Sequence, residues 1–197
     1  ALARALAPEP ALLLLDEPLS HLERQLRAHL ADEMVAIVRS SGAGALWVTH
    51  DQEEGLSVAD RVAVMEAGRL RQVDAPEHLW RNPADASVAG FIGAGEILSA
   101  TVRDGRAATV LGPVAAPGHA EGCEVKVLVR PEDVSIGGEG TAAEVIRRGF
   151  IGGDTVYYLR LQDGGHVRSR ERGGVKYESG AQVRVQLNGS SLTVFSE

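Results

Sequence analysis

Two acids follow a run of leucines. "ALLLLDEP" places Asp16 and Glu17 directly after residues 12–15. A short apolar run of this kind reads as a buried strand, and the carboxyl end of such a strand is where α/β proteins bind ligands. An aspartate there can hold Mg²⁺, usually through water, while the metal bridges two phosphates. The adjacent glutamate points elsewhere and can orient or deprotonate a water. General-base help of that sort is worth about 10²–10⁴ in rate, roughly 3–5 kcal/mol of barrier. Taken alone, the pair reads more readily as N-cap and helix-dipole acids. "ALWVTHD" alters that balance, because it ends a second apolar run with His50 at its tip. An imidazole at that place can donate to a phosphate oxygen. With a helix between the two strands, Asp16, Glu17 and His50 fall along one sheet edge, which is a nucleoside-triphosphatase layout.

The elements that must hold these side chains are marked in the sequence. "ALLLL" and "ALWV" read as strands covered on both faces. Between them, Leu22, Leu26, Leu30, Met34, Ile37 and Val38 recur at helical spacing, with Ser20 and Glu23 as a capping box. "SSGAG" ends that helix, and "DQEEGLSVA" opens another with Asp51 as its N-terminal acid. "RVAVMEAGRLRQVDA" predicts a hairpin turning at Ala67-Gly68, followed by short helices at "APEHLWRNP" and "ASVAGFIG". Strand–helix–strand alternation implies a parallel sheet flanked by helices. The texture changes after "GAGE" at 93–96. "EVKVLVR", "DTVYYLRL", "GHVRSRE" and "AQVRVQL" alternate with a period of two, separated by turns such as Asp163-Gly164 and Asn188-Gly189. That pattern predicts a small barrel over 96–197, after an α/β part over 1–92.

Bulk properties narrow the function classes. A net charge of −7 disfavours a nucleic-acid partner held through phosphates. No apolar run approaches the roughly 20 residues that span a bilayer. The single cysteine, Cys123, forms no internal disulfide and reads as a half-buried strand residue. His29, His78, His119 and His166 show no ligand spacing, Trp47 and Trp80 read as core, and "RRGF" and "RSRER" read as solvated basic faces.

The stretch from "ALARALAPEPALLLLDEPLSHLE" through "LWVTHDQEEGLSVADRVAVMEAGRLRQVDAPEHLWRNP" resembles the C-terminal half of the ATP-binding subunit of ABC importers. The resemblance implies a partial P-loop NTPase fold of the ABC type. It makes "LLLLDE" the Walker B strand, with Asp16 associated with Mg²⁺ through water and Glu17 catalytic. It makes His50 the switch histidine, and puts Ser20 and Glu23 of "SHLE" at the D-loop position of a Mg-ATP site. The tail, with "VLVRPEDVSI" at 127–136, is similar to the OB-like accessory domain called TOBE, which pairs across the ATPase dimer and sometimes regulates it. Implied partners are a second ATPase subunit, the transmembrane permease and, indirectly, a solute-binding protein, at the cytoplasmic face of the membrane. "RNPADASVAGFIGAGEILSA" looks most like ferric-iron importers, with polyamine importers next.

No G-x-x-x-x-G-K-[ST], Q-loop or LSGGQ-type signature occurs, so the chain reads as part of a longer protein and as inactive alone. Glu23, one methylene longer, also stands where the D-loop usually carries Asp, and His21 where it carries a small residue at the same turn. Two rival readings are a regulatory barrel that binds a small oxyanion or the solute, and another Mg-dependent NTPase such as a helicase. The acidic charge and the histidine-bearing strand disfavour the last.

Overall fold

The computed structural model describes residues 2–93, 95–189 and 192–196. The chain forms two compact units, 1–81 and 82–197.

In the first unit, α1 (Leu2–Leu6) precedes β1 (Leu12–Asp16), α2 (Arg24–Ser41), β2 (Gly44–Val48) and α3 (Gln52–Val58). β1 and β2 pair in parallel with Leu14 opposite Leu46 and Asp16 opposite Val48, as a strand–helix–strand unit requires. α2 ends at Gly42, whose φ of 74° suits a left-handed cap. β3 (Val62–Glu66) and β4 (Arg69–Asp74) form the expected hairpin. Ala67 and Gly68 both take positive φ, 48° and 74°, which gives the turn the twist of its strands. α4 (Pro76–Arg81) closes the unit.

Three expectations are corrected here. The strands are not covered on both faces: Leu12, Leu14, Leu46 and Val48 are 50–72% exposed, while Leu13 on the opposite face is buried. The sheet has two strands among the described residues and α2 contacts it through β2, so the face that carries Leu12, Leu14, Leu46 and Val48 stays largely exposed. The inward line of α2 runs through Arg27, Ala31, Met34 and Val38, so Leu26 and Ile37 lie outside it and are exposed. Ser20 and Glu23 form no capping box. The helix begins at Arg24 with Glu23 as N-cap, and that side chain makes no cap bond, because a turn over 17–22 separates Ser20 from the helix.

The second unit holds α5 (Ala86–Ile92), β5 (Glu96–Arg103), β6 (Arg106–Thr109), β7 (Gly112–Ala115), β8 (Glu124–Val129), a 3-10 turn at Pro131–Asp133, β9 (Val134–Ile151), β10 (Asp154–Leu161), β11 (His166–Arg172), β12 (Gln182–Leu187) and β13 (Val194–Ser196). One sheet runs β11-β10-β9-β12 and the other β13-β8-β5-β6-β7. They share one core, which includes Val102, Val114, Val127, Val145, Tyr157, Leu159 and Val185. β9 serves two partners, pairing with β12 at its start and β10 at its end. A Cβ at Gly140 would stand 2.1 Å from the Val185 carbonyl oxygen, so glycine is required where the two strands cross. The turn at Asp163-Gly164 joins β10 to β11 as expected. Asn188-Gly189 makes no hairpin: Asn188 bonds back to Asp133 and Glu132, and β13 pairs with β8 instead of β12. Residues 82–92, read from sequence with the first part, pack in this unit, since α5 contacts β5 and β8. Of the "GAGE" junction, Ala94 lies outside the described residues.

Candidate functional site at the ends of the paired strands

β1 delivers Asp16 and Glu17 to its carboxyl end, and β2 delivers His50 two residues past its own. The pairing continues beyond the strand proper, because the Glu17 N–H donates to the Val48 carbonyl at 2.8 Å. Glu17 then turns sharply, with φ of 42°. A reverse turn follows, with Ser20 N–H bonded to Glu17 O at 3.2 Å and Leu22 N–H to Leu19 O at 3.1 Å. Leu19, 4% exposed, anchors that turn. His50 Nδ1 stands 3.2 Å from Glu17 Oε1, with both side chains open to solvent. The structure thus brings Glu17 and His50 into contact and puts Asp16 on the neighbouring position of the same edge. Ser20 lies in the turn and Glu23 at the helix start, where its carbonyl accepts from Arg27 N–H at 2.8 Å.

His50 is flanked by a bonded network. The Asp51 N–H donates to Thr49 Oγ1 at 3.0 Å, and Asp51 Oδ1 accepts from the Glu54 N–H at 3.2 Å as the cap of α3. Asp51 Oδ2 accepts from Arg27 Nη1, and Arg27 Nη2 donates to the Leu22 carbonyl at 3.1 Å. Glu54, 8% exposed, accepts from Trp47 Nε1 through one oxygen and from Thr49 Oγ1 at 3.2 Å through the other. Burial alone would raise the Asp51 pKa. The Glu54 N–H, the Arg27 hydrogen bond and charge, and the Glu53 N–H outweigh it and hold the carboxyl below the ordinary aspartate range. An open hollow lined by Arg27, His50, Asp51, Gln52 and Glu53 lies beside these groups.

Sequence reasoning named Asp51 only as a helix acid and missed Arg27, Thr49 and Glu54. The available signal was Arg27 itself, a cation on the same helical line as Ala31, Met34 and Val38. A cation so placed needs an internal acceptor.

The basic clusters of the second unit carry acidic or aromatic partners. Arg168 pairs with Glu96 and Arg170 with Asp154, each at 2.7 Å; Arg148 pairs with Glu178, and Arg147 lies 3.7 Å over the Tyr158 ring. Cys123 is half-buried just before β8. Among the described residues no group of three or more His, Cys, Asp or Glu could hold a metal, and no helix is long and apolar enough to cross a membrane.

Residues 127–195 match the TOBE domain family. A Fe(3+) ions import ATP-binding protein of Rhodococcus jostii is 37% identical over 98% of this chain and 58% of its own length. A spermidine/putrescine import ATP-binding protein of Pseudomonas aeruginosa is 40% identical over 88% of this chain and 50% of its own. A solved structure of the cytoplasmic molybdate-binding protein ModG covers 52% of this chain and 96% of that one, with a TM-score of 0.42 and 17% identity, a likeness too slight to define the fold. The chain spans about half the length of the curated relatives it matches. Residues 127–195 are thus similar to TOBE domains, and over nearly its whole length the chain is homologous to proteins named as Fe(3+) and spermidine/putrescine import ATP-binding proteins.

Proposed function

We propose that this chain is the Walker B, D-loop and switch-histidine part of an ABC importer ATPase, joined to its TOBE domain. The contact between Glu17 and His50 at the ends of two parallel strands carries the reading. Glu17 aims its carboxylate at the water that attacks a γ-phosphate and takes its proton. His50 holds Glu17 from one side and donates toward the phosphate from the other. Asp16 is the residue that would hold Mg²⁺, through water. That fits a metal which keeps several waters and shares its coordination with substrate phosphates. A Mg²⁺ held there would supply positive charge against the phosphates. Ser20 and Glu23, at the D-loop position, face a second ATPase subunit, and the assembly works on a permease at the cytoplasmic face of the membrane.

Ferric iron is the proposed solute, with polyamines the alternative. Relatives named for each align over most of the chain. In the protein that joins this sequence to a phosphate-binding loop, Glu17→Gln should leave ATP binding intact and lower hydrolysis by about 10²–10⁴. His50→Ala should also cripple turnover. Steady-state kinetics beside nucleotide-binding measurements check both, and a Glu17→Gln enzyme at half the normal rate would remove Glu17 from the role of base.

A further inference from the structure

Arg27 has no part in the chemistry assigned to Glu17 and His50, yet it ties together the segments that present them. Its Nη2 holds the carbonyl of Leu22, in the stretch that follows Glu17. Its Nη1 holds the carboxylate of Asp51, the residue after His50. Asp51 is fixed further by Thr49 Oγ1 and by the Glu54 N–H, and Thr49 and Trp47 in turn bond the buried Glu54 carboxylate. His50 therefore sits on a backbone bonded on both sides, while its own ring is 70% exposed and stands against Glu17. An exposed contact between two mobile side chains is weak by itself, because each loses rotamer freedom to make it. It persists when the two backbones are held at a set separation.

We propose that Arg27 is a positioning residue that sets the Glu17–His50 separation by gripping the Leu22 carbonyl and the Asp51 carboxylate together. The proposal rests on the reading of Glu17 and His50 as a working pair. A guanidinium reaches two acceptors at once in a fixed fork, whereas a lysine ammonium is a point charge on a flexible stem. Lysine at this position should keep the attraction to Asp51 and release the turn.

The test measures, at one fixed pH, the rate at which diethyl pyrocarbonate acylates His50 in this chain, followed by mass mapping of peptides. Glu17→Gln should change that rate by about two- to five-fold, the size of an exposed charged contact. In an Arg27→Met background the ratio should fall to unity, and in Arg27→Lys it should lie between. Asp51→Asn keeps a competent helix cap but removes the charge that Arg27 grips, so it should uncouple the pair as Arg27→Met does, even where the latter folds poorly. Unchanged acylation of the exposed His29 and unchanged far-ultraviolet circular dichroism show that the fold persists. A Glu17 effect that survives in full in both Arg27→Met and Asp51→Asn overturns the role of Arg27 and leaves the pair standing. A wild-type chain in which Glu17→Gln does nothing to His50 overturns the pair and the positioning role with it.

Discussion

A glutamate with φ of 42° occupies a region that only glycine, asparagine and aspartate visit routinely. Glu17 is held there because its N–H completes the pairing with Val48 while the chain must already turn into 18–22. Such a backbone costs about 1–3 kcal/mol, and it faces the carboxylate toward His50. Asparagine would relieve much of the strain and forfeit only an exposed contact. Glu17→Asn is therefore expected to raise the stability of the first unit by about 0.5–1 kcal/mol, and Glu17→Gln to leave it unchanged. Urea unfolding followed by tryptophan fluorescence measures this, since Trp47 and Trp80 both lie within 1–81. A loss of stability in Glu17→Asn would mean that the contact with His50 outweighs the strain. The placement of Glu17 and His50 along one sheet edge was legible in the sequence from two apolar runs ending in chemistry-bearing residues, but their contact was not. The left-handed turn was not, because no glycine or asparagine marks it.

The short helix α3 depends on one residue for its start. Asp51 caps it and receives Arg27 from α2, so the helix and the strand end before it are fixed together. The depressed pKa of Asp51 has a definite consequence for pH. The carboxylate contributes stability that is present above the unfolded aspartate value, about 3.9, and is lost as pH falls through the lower folded value. Asp51→Ala should cost about 0.5–2 kcal/mol at neutral pH and flatten the acid limb of the stability profile. Tryptophan-detected unfolding between neutrality and strong acid checks both effects; an acid limb identical to that of the wild type would assign the pH dependence to other carboxylates. "THDQEEG" signalled this element, because an acid ahead of a short helical run is a cap by its position. α2 was harder to read. Its apolar residues cover more than one side, and periodicity alone did not separate the line that packs inward, with Ala31 and Val38, from Leu26 and Ile37, which face solvent.

At the scale of the molecule, the sequence places its change of texture at 93–96, where glycine collects, but packing joins α5 to the strands that follow it. The reason is the use made of the apolar face of α5. Val88, Ala89 and Ile92 are at most 4% exposed, and Ala89 clusters with Leu128 of β8 and Phe195 of β13, with Ala86 and Ile97 against them. Asp85 caps the helix through the Val88 N–H at 2.9 Å, so even the start of α5 is specified. The two β-sheets have a separate core of their own, centred on Val127, Val145, Tyr157 and Leu159, and should fold without it. A piece spanning 82–197 and a piece spanning 96–197 should both be folded, but unequal. Removing α5 uncovers Leu128 and Phe195, and burial of a large apolar side chain is worth about 1.5–3 kcal/mol, so the shorter piece should be about 2–4 kcal/mol less stable. Urea denaturation followed by far-ultraviolet circular dichroism compares them directly. The three tyrosines, Tyr157, Tyr158 and Tyr177, all lie in both pieces and give a second, common probe. Equal midpoints would show that α5 adds nothing to the strands it touches and that the unit begins near 96, where the glycines stand. A lower midpoint for 96–197 would show that the boundary lies at a packed helix, ahead of the junction that composition suggests.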